Sequence, residues 1–559
     1  MIQGMISNSQ SKVSQWILAI GISLTSLFIT PTYSSEPIDL PKMYALVLVA
    51  FWAFANTFTN PIKIFRRRYI SIISLVSLFI LQMLIVILTS GSPKNQQIFG
   101  TFGRNTGFVT YTALFMVLVV ATFVTTARFV KVVLISLMLS GLSSLIYGLM
   151  QVTGFDPINW NNPNSSMIGF LGNPDFSSAF LGLVGAGGFV LLFAKNNQVK
   201  RIYKIIILSA EIVALGLIIK SHAIQGLMIY ILGLILSFGL HLLVRKSRKL
   251  ILLSYGSLSV LVISIGLLGA LKIGPLANLL YKTSVRQRGF YWRAAREMLF
   301  SHPFSGIGLD SYGDWYYQKR SLNAAFHSMT TTSNAAHNMI LDIGAYGGFP
   351  LLFTYLAILF LIFRSAIRII KNEESRNIFI LALIVSWFAY EAQSIVSINQ
   401  IGLGVWGWLL GGVILGYDLN LQYSARNKPE PKSKRVKPSN SYILYGLFGL
   451  GIGFAVIQPA LQADHNYRIA LQSRDANKVI SSVLSYPEDT HRTMEAAINL
   501  AKANLKKQAL ELAHHVITVN PRSYEAWNLI FSLTSQTSSE HTLASNKLKA
   551  LNPHDKTIK

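Results

Sequence analysis

Four arginines crowd one short segment of the chain, Arg286, Arg288, Arg293 and Arg296, with Tyr291 and Trp292 among them. A guanidinium presents a planar fork of N–H donors that fits two phosphate oxygens at once. Several such forks beside aromatic rings at a membrane surface suit a diphosphate headgroup. The plainer alternative is an interfacial helix whose arginines contact ordinary anionic lipid. If the segment is helical, Arg286, Arg293 and Arg296 share one face by three- and seven-residue spacing, and Arg288 is offset. Next comes a glycine-rich turn, His302-Pro-Phe-Ser-Gly-Ile-Gly-Leu-Asp310, and then Asn334-Ala-Ala-His337-Asn338. A histidine at a helix entry titrates near neutral pH and can take a proton from a hydroxyl. Taken alone, it is more commonly a helix cap or a satisfied, buried imidazole. Asn334 is the expected N-cap of the helix that follows.

The elements that carry these residues belong to a membrane. Of the 559 residues, 52% are hydrophobic and 13% charged, about half the charged share of a soluble domain. Apolar runs recur at the length of a bilayer crossing, about 20 residues. Thirteen spans are expected, near 14–31, 40–58, 69–89, 107–127, 129–151, 176–194, 202–220, 223–243, 250–271, 338–363, 377–396, 400–419 and 441–459. The fold class is therefore all-α: a polytopic transmembrane bundle followed by a C-terminal helical repeat. The expected organisation is a first bundle part (1–271), a long outer loop with the Arg/His residues (272–337), a second bundle part (338–459) and a helical tail (460–559). The first apolar stretch lacks an A-x-A-like cleavage site and reads as a retained helix. Cysteine is absent, so no disulfide and no thiolate metal site is available.

The net charge of +26 does not point to nucleic acid, because the basic residues fall in short clusters between apolar runs. With the N-terminus inside, the inner loops and Lys12 hold 25 Lys and Arg, including Lys63, Arg66, Arg67 and Arg68 and the run from Arg426 to Lys437. The short outer loops hold four: Lys42, Lys94, Arg104 and Lys220. This asymmetry places the N-terminus on the cytoplasmic side of the membrane. The long loop and the tail then lie outside.

The tail repeats itself. Pro487, Pro521 and Pro553 are 34 and 32 residues apart, and Asn520-Pro521 and Asn552-Pro553 are near-copies. This resembles tetratricopeptide repeats, whose period is 34. It suggests a docking surface for a protein or glycan partner, or a cap that only stabilises the fold.

Several motifs together carry a family resemblance. Arg288-Gly-Phe-Tyr-Trp292, Met298-Leu-Phe-Ser-His-Pro303, Gly306-Ile-Gly-Leu309, Ala336-His337-Asn338-Met-Ile-Leu341 and Gly347-Gly348 stand in that order. They resemble the O-antigen ligase and polymerase superfamily, over about residues 10 to 420. Gly103-Arg104-Asn-Thr-Gly107 and Gly172-Asn173-Pro174-Asp175 resemble two further elements, with Asp175 in place of the usual Asn. Two departures stand out. Tyr346 falls where many relatives have an acid, leaving Asp342 as the nearby one. Ser221-His-Ala-Ile-Gln-Gly226 stands where relatives have Ser-Arg-Gly, so His222 is a candidate replacement for the basic group.

The resemblance implies a GT-C-like glycosyltransferase that works outside the membrane on a glycan linked through diphosphate to a polyprenyl lipid such as undecaprenol. His337 and Arg288 would be catalytic. Arg104, Arg286, Arg293, Tyr291, Trp292, Asn338 and Asn173 would bind substrate. No metal or other cofactor is expected, and no D-x-D motif is present. The acceptor would be a lipid, a polysaccharide or a protein. Polymerase and protein O-oligosaccharyltransferase are alternatives within the superfamily. A lipid-linked glycan transporter is the alternative outside it, with Glu211 and Glu391 as the main intramembrane acids.

Overall fold

A computed structural model of the chain describes residues 8–59, 67–160, 167–327, 331–373, 376–426 and 441–555. Lys63, Arg66 and the basic residues from Lys428 to Lys437 lie outside these residues. All regular structure among the described residues is helical. The first part holds α1 (Asn8–Leu27), α2 (Asp39–Thr57), α3 (Ile70–Thr89), α4 (Lys94–Phe99), α5 (Phe108–Val124), α6 (Ala127–Val152), α7 (Pro174–Leu192), α8 (Arg201–Lys220), α9 (Ile224–Val244) and α10 (Lys249–Ala270). Four helices fill the long loop: α11 (Ala277–Leu280), α12 (Thr283–Ser301), α13 (Tyr312–Lys319) and α14 (Leu322–His327). Then follow α15 (Met339–Lys371), α16 (Ile378–Ser394), α17 (Ile401–Arg426) and α18 (Ser441–Ser473). The tail adds α19 (Ala476–Val483), α20 (Thr490–Lys502), α21 (Lys506–Val519), α22 (Tyr524–Leu533) and α23 (Ser539–Leu551).

Each of the thirteen apolar segments is a helix, and ten of these helices are long and apolar enough to cross a bilayer. The other three are α1 and the 17-residue α5 and α16. The helix α17 runs through the middle of the bundle, with Trp406, Leu409, Leu410, Val413 and Ile414 buried. Gly412 and Gly416 let it touch α5: a Cβ there would lie 2.5 and 2.4 Å from the Leu118 and Thr122 carbonyl oxygens. Small residues allow this close approach, which drives association where lipid removes the hydrophobic effect. At the periphery, α10 buries Gly269 alone and turns its leucines, valines and isoleucines outward.

The loops gather at two ends. At one end Lys246 pairs with Glu373 at 2.7 Å, and Asn420 donates to the Thr125 carbonyl at 2.9 Å. At the other end sit α4, α11 to α14 and the tail. The long α18 carries the chain through Pro459 out of the bundle and into the tail. Tail residues return to this end: Asp464 accepts from the Ser35 N–H at 2.6 Å, and His465 stacks on Tyr33 at 3.8 Å. The tail has two small apolar clusters of its own, around Ala497 and Leu512 and around Trp527 and Leu548.

Candidate functional site

The site begins with a broken helix. Gly347 and Gly348 interrupt α15, and Gly348 has φ +68°, a conformation only glycine adopts cheaply. The break frees carbonyl groups that an intact helix would satisfy, and inside a membrane protein they must find donors elsewhere. The loop turn supplies them. Ile307 donates to the Ala345 carbonyl at 2.9 Å and Gly308 to the Tyr346 carbonyl at 3.2 Å, while Phe349 donates to the Pro303 carbonyl at 2.7 Å. Gly306, at φ +63°, admits no side chain, because a Cβ would lie 2.1 Å from the Tyr346 oxygen. The two glycine motifs are thus halves of one joint.

The joint aims Asp310 at a third element. Its carboxylate accepts from the Thr101 N–H at 2.8 Å and the Thr106 N–H at 3.3 Å, and from the Tyr346 hydroxyl at 3.3 Å. Its carbonyl accepts from Gln96 Nε2 and Thr101 Oγ1. The turn between Thr101 and Thr106 carries Arg104. Burial pushes the Asp310 carboxyl up, while the Thr101 N–H and the Arg104 charge pull it back.

Asp342 performs the same service for the histidine: its carboxylate accepts from the Ala336 N–H at 2.6 Å. The expected cap at Asn334 is corrected here. Asn338 is the N-cap of α15, its Oδ1 accepting from the Leu341 N–H at 3.0 Å, because the helix starts four residues later than Asn334 requires. His337 stands just before the cap at φ +55°; Asn105 and Asp310 are also left-handed, at +55° and +51°. Strained residues of this kind persist where surroundings over-determine them.

Arg288 enters from α12. The buried face of that helix is Phe290, Tyr291, Ala294, Ala295, Met298 and Leu299, and Arg288 flanks it. One Nη2 donates to Gln225 Oε1 at 3.1 Å and faces Asp175 Oδ2 at 3.5 Å. Tyr291 stacks on His337 with ring centroids 5.5 Å apart, held by the Tyr312 hydroxyl on the Tyr291 carbonyl at 2.8 Å. Arg104 and Arg288 both lie close enough for their charges to act on His337. Burial, and then these two charges, push the imidazole down to about 3. It is therefore neutral at physiological pH.

The other expected residues are spread wider. Asn173 caps α7, accepting from the Asp175 N–H at 2.8 Å, and so orients the residue that faces Arg288. The Nε of Arg286 and the Nε1 of Trp292 are buried without a partner. Arg293 and Arg296 lie on the exposed face of α12, with Arg296 beside Glu297 at 3.8 Å. His302 is apart from His337, packed edge-on against Trp315 at 4.6 Å. His222 is exposed, and the residue of its segment that meets Arg288 is Gln225. Asp175, Gln225 and Asp310 are the members of the site that sequence reasoning passed over. The acid beside Tyr346 is Asp310, 36 residues upstream.

Residues 225–356 match the family described as O-Antigen ligase. The chain carries an O-antigen ligase domain. The matched segment opens on Gln225 and takes in Arg288, the Gly306–Asp310 turn, His337 and the Gly347–Gly348 break. It leaves out Arg104, Asn173 and the whole tail, a shorter reach than the resemblance over residues 10 to 420. No curated protein matches the chain. That match and ten helices long and apolar enough to cross a bilayer fit a multi-pass membrane protein whose residues 225–356 are similar to O-antigen ligases.

Proposed function

We propose that the protein transfers a glycan from a polyprenyl-diphosphate carrier to an acceptor on the outer side of a bacterial inner membrane. The N-terminus is cytoplasmic and the tail extracytoplasmic. The observation that carries this reading is the convergence of Arg104, Arg288 and His337 from three distant parts of the chain. Two cations and a neutral imidazole meet at the end of the bundle where the long loop packs. In this reading Arg288 and Arg104 hold the diphosphate, with Arg286 beside them. The bond from the sugar anomeric carbon to the phosphate oxygen breaks, the diphosphate keeps the electron pair, and the arginines stabilise that charge. The acceptor oxygen forms the new bond.

Burial, and after it two arginine charges, keep His337 a weak base before substrate arrives. A bound diphosphate neutralises them and raises the basicity of the imidazole, so the group that takes the acceptor proton is completed by donor binding. The acceptor is a lipid, a polysaccharide or a protein, and the tail's two or three tetratricopeptide-like repeats stand near enough to help present it. The test is product analysis with purified protein in liposomes and polyprenyl-diphosphate glycan. One discrete ligated product supports a ligase, a ladder supports a polymerase of the same superfamily, and translocation with no new bond contradicts both.

A further inference from the structure

Beneath Arg288 and His337, the ends of α9 and α16 and the turn into α17 hold neutral polar groups that the protein leaves unpaired. Gln225, Gln393 and Ser397 are 4%, 3% and 1% exposed. Gln225 Nε2, Gln393 Nε2 and Ser397 Oγ have no hydrogen-bond partner among the described residues. Neither amide atom of Asn399 reaches full hydrogen-bonding geometry, and the Tyr111 side chain is its polar neighbour. The chain of contacts ties them to the site. Gln225 Oε1 receives Arg288 at 3.1 Å. Asn399 stands by Gly404 and the Tyr390 hydroxyl, and that hydroxyl reaches Met339 Sδ at 3.8 Å, two residues past His337. Gln393 lies one heptad above Ser386 on the face of α16 that meets Gly187 of α7, and the outer end of α7 carries Asp175. The turn is anchored by Gln400, which donates to Asp39 at 2.8 Å.

An unpaired amide or hydroxyl in a protein interior is costly, and buried polar groups almost always find partners. Here the groups lie on neighbouring elements, α9, α16 and the turn into α17, and none is charged. Phosphate calls for cations, whereas neutral donors and acceptors suit sugar hydroxyls and amides. We propose that Gln225, Gln393, Ser397 and Asn399 form the floor that reads the sugar joined to the donor diphosphate. This rests on the lipid-linked donor proposed above.

The experiment uses full-length protein in lipid nanodiscs and two probes, bare polyprenyl diphosphate and the same lipid carrying one sugar. Gln393→Leu, Ser397→Ala and Asn399→Leu should each weaken binding of the sugar-bearing lipid about 3- to 10-fold, as loss of a neutral hydrogen bond does. Binding of the bare lipid should stay within about two-fold. Melting temperatures should hold or rise, because the substitutions remove unpaired polar groups. Equal weakening of both lipids, no change for either, or a fall in melting temperature without selectivity overturns the proposal. Arg288→Ala separates the two levels: it should weaken the bare lipid, and if it does not, the donor reading fails whatever the floor variants do.

Discussion

The end of the bundle where the long loop packs holds two sets of arginines, and their donors are used differently. Where the tail meets α13, Arg320 is 1% exposed, donates to Asn552 Oδ1 at 3.1 Å and lies over the Tyr317 ring at 4.7 Å. Arg522 lies 3.3 Å above the Trp315 ring and bonds Gln318. These guanidinium groups are spent on protein contacts. Around His337, the side chains of Arg104 and Arg286 make no hydrogen bond or ion pair among the described residues, and that of Arg288 has one hydrogen bond and a long pair with Asp175. A guanidinium carries five donors. Those left over at the second place are available to a ligand's oxygens, while those at the first fasten the tail.

Substitution should separate the two sets. The largest effects are expected from Arg288→Ala and His337→Ala, which should lower transfer by about 100-fold or more, the scale of a lost charge-stabilising group. Arg104→Ala should follow, at about 10- to 100-fold. In each case membrane insertion and expression should match the unsubstituted protein by fluorescence-detected chromatography. Asn552→Ala should instead act on stability. It leaves Arg320 buried beside a lost acceptor, at a cost of about 1–3 kcal/mol. Faster proteolysis of the tail, with transfer changed less than about 10-fold, would be the signature. Arg293→Ala, on the exposed face of α12, should change neither by more than about two-fold. A large loss of transfer there would erase the distinction between the two faces.

The imidazole adds a pH expectation with a definite sign. His337 is held down to about 3 in the folded protein, against about 6.5 for an unperturbed histidine. Between these values the unfolded chain binds the proton and the folded chain does not. The contribution of His337 to stability is therefore complete above pH 6.5 and is lost as the pH falls toward 3. His337→Gln should flatten the melting temperature across that window. An unchanged slope would show that the imidazole is not held neutral.

Much of this was legible in the sequence because it is local. Apolar runs gave the thirteen helices, and the order of short motifs singled out Arg288 and His337. The helical spacing of α12 was legible only in part: it grouped Arg286 with Arg293 and Arg296 as one binding face, whereas Arg293 and Arg296 are exposed and the inward face runs from Phe290 to Leu299. What stayed hidden depends on contacts across the chain. Asp310 caps a turn about 200 residues away, and Arg288 meets Gln225 and Asp175 over 63 and 113 residues. Nothing in the local pattern of a glycine-rich turn says that it fills the break at Gly347–Gly348. In the tail, the spacing of the prolines made the two Asn-Pro turns visible. Their inward direction was not visible: Asn520 and Asn552 of these turns reach Asp314 and Arg320, so this face is already occupied by the chain's own loop.

The central claim is that Arg288 and His337 act together on one reacting centre, and a double-substitution series in liposomes with polyprenyl-diphosphate glycan tests it most directly. Residues that act as a unit are strongly non-additive. Arg288→Ala, His337→Ala and the double variant should all fall to the same low rate of glycan transfer. If either single variant keeps the full rate, or if the losses multiply in the double variant, the account of the site is contradicted.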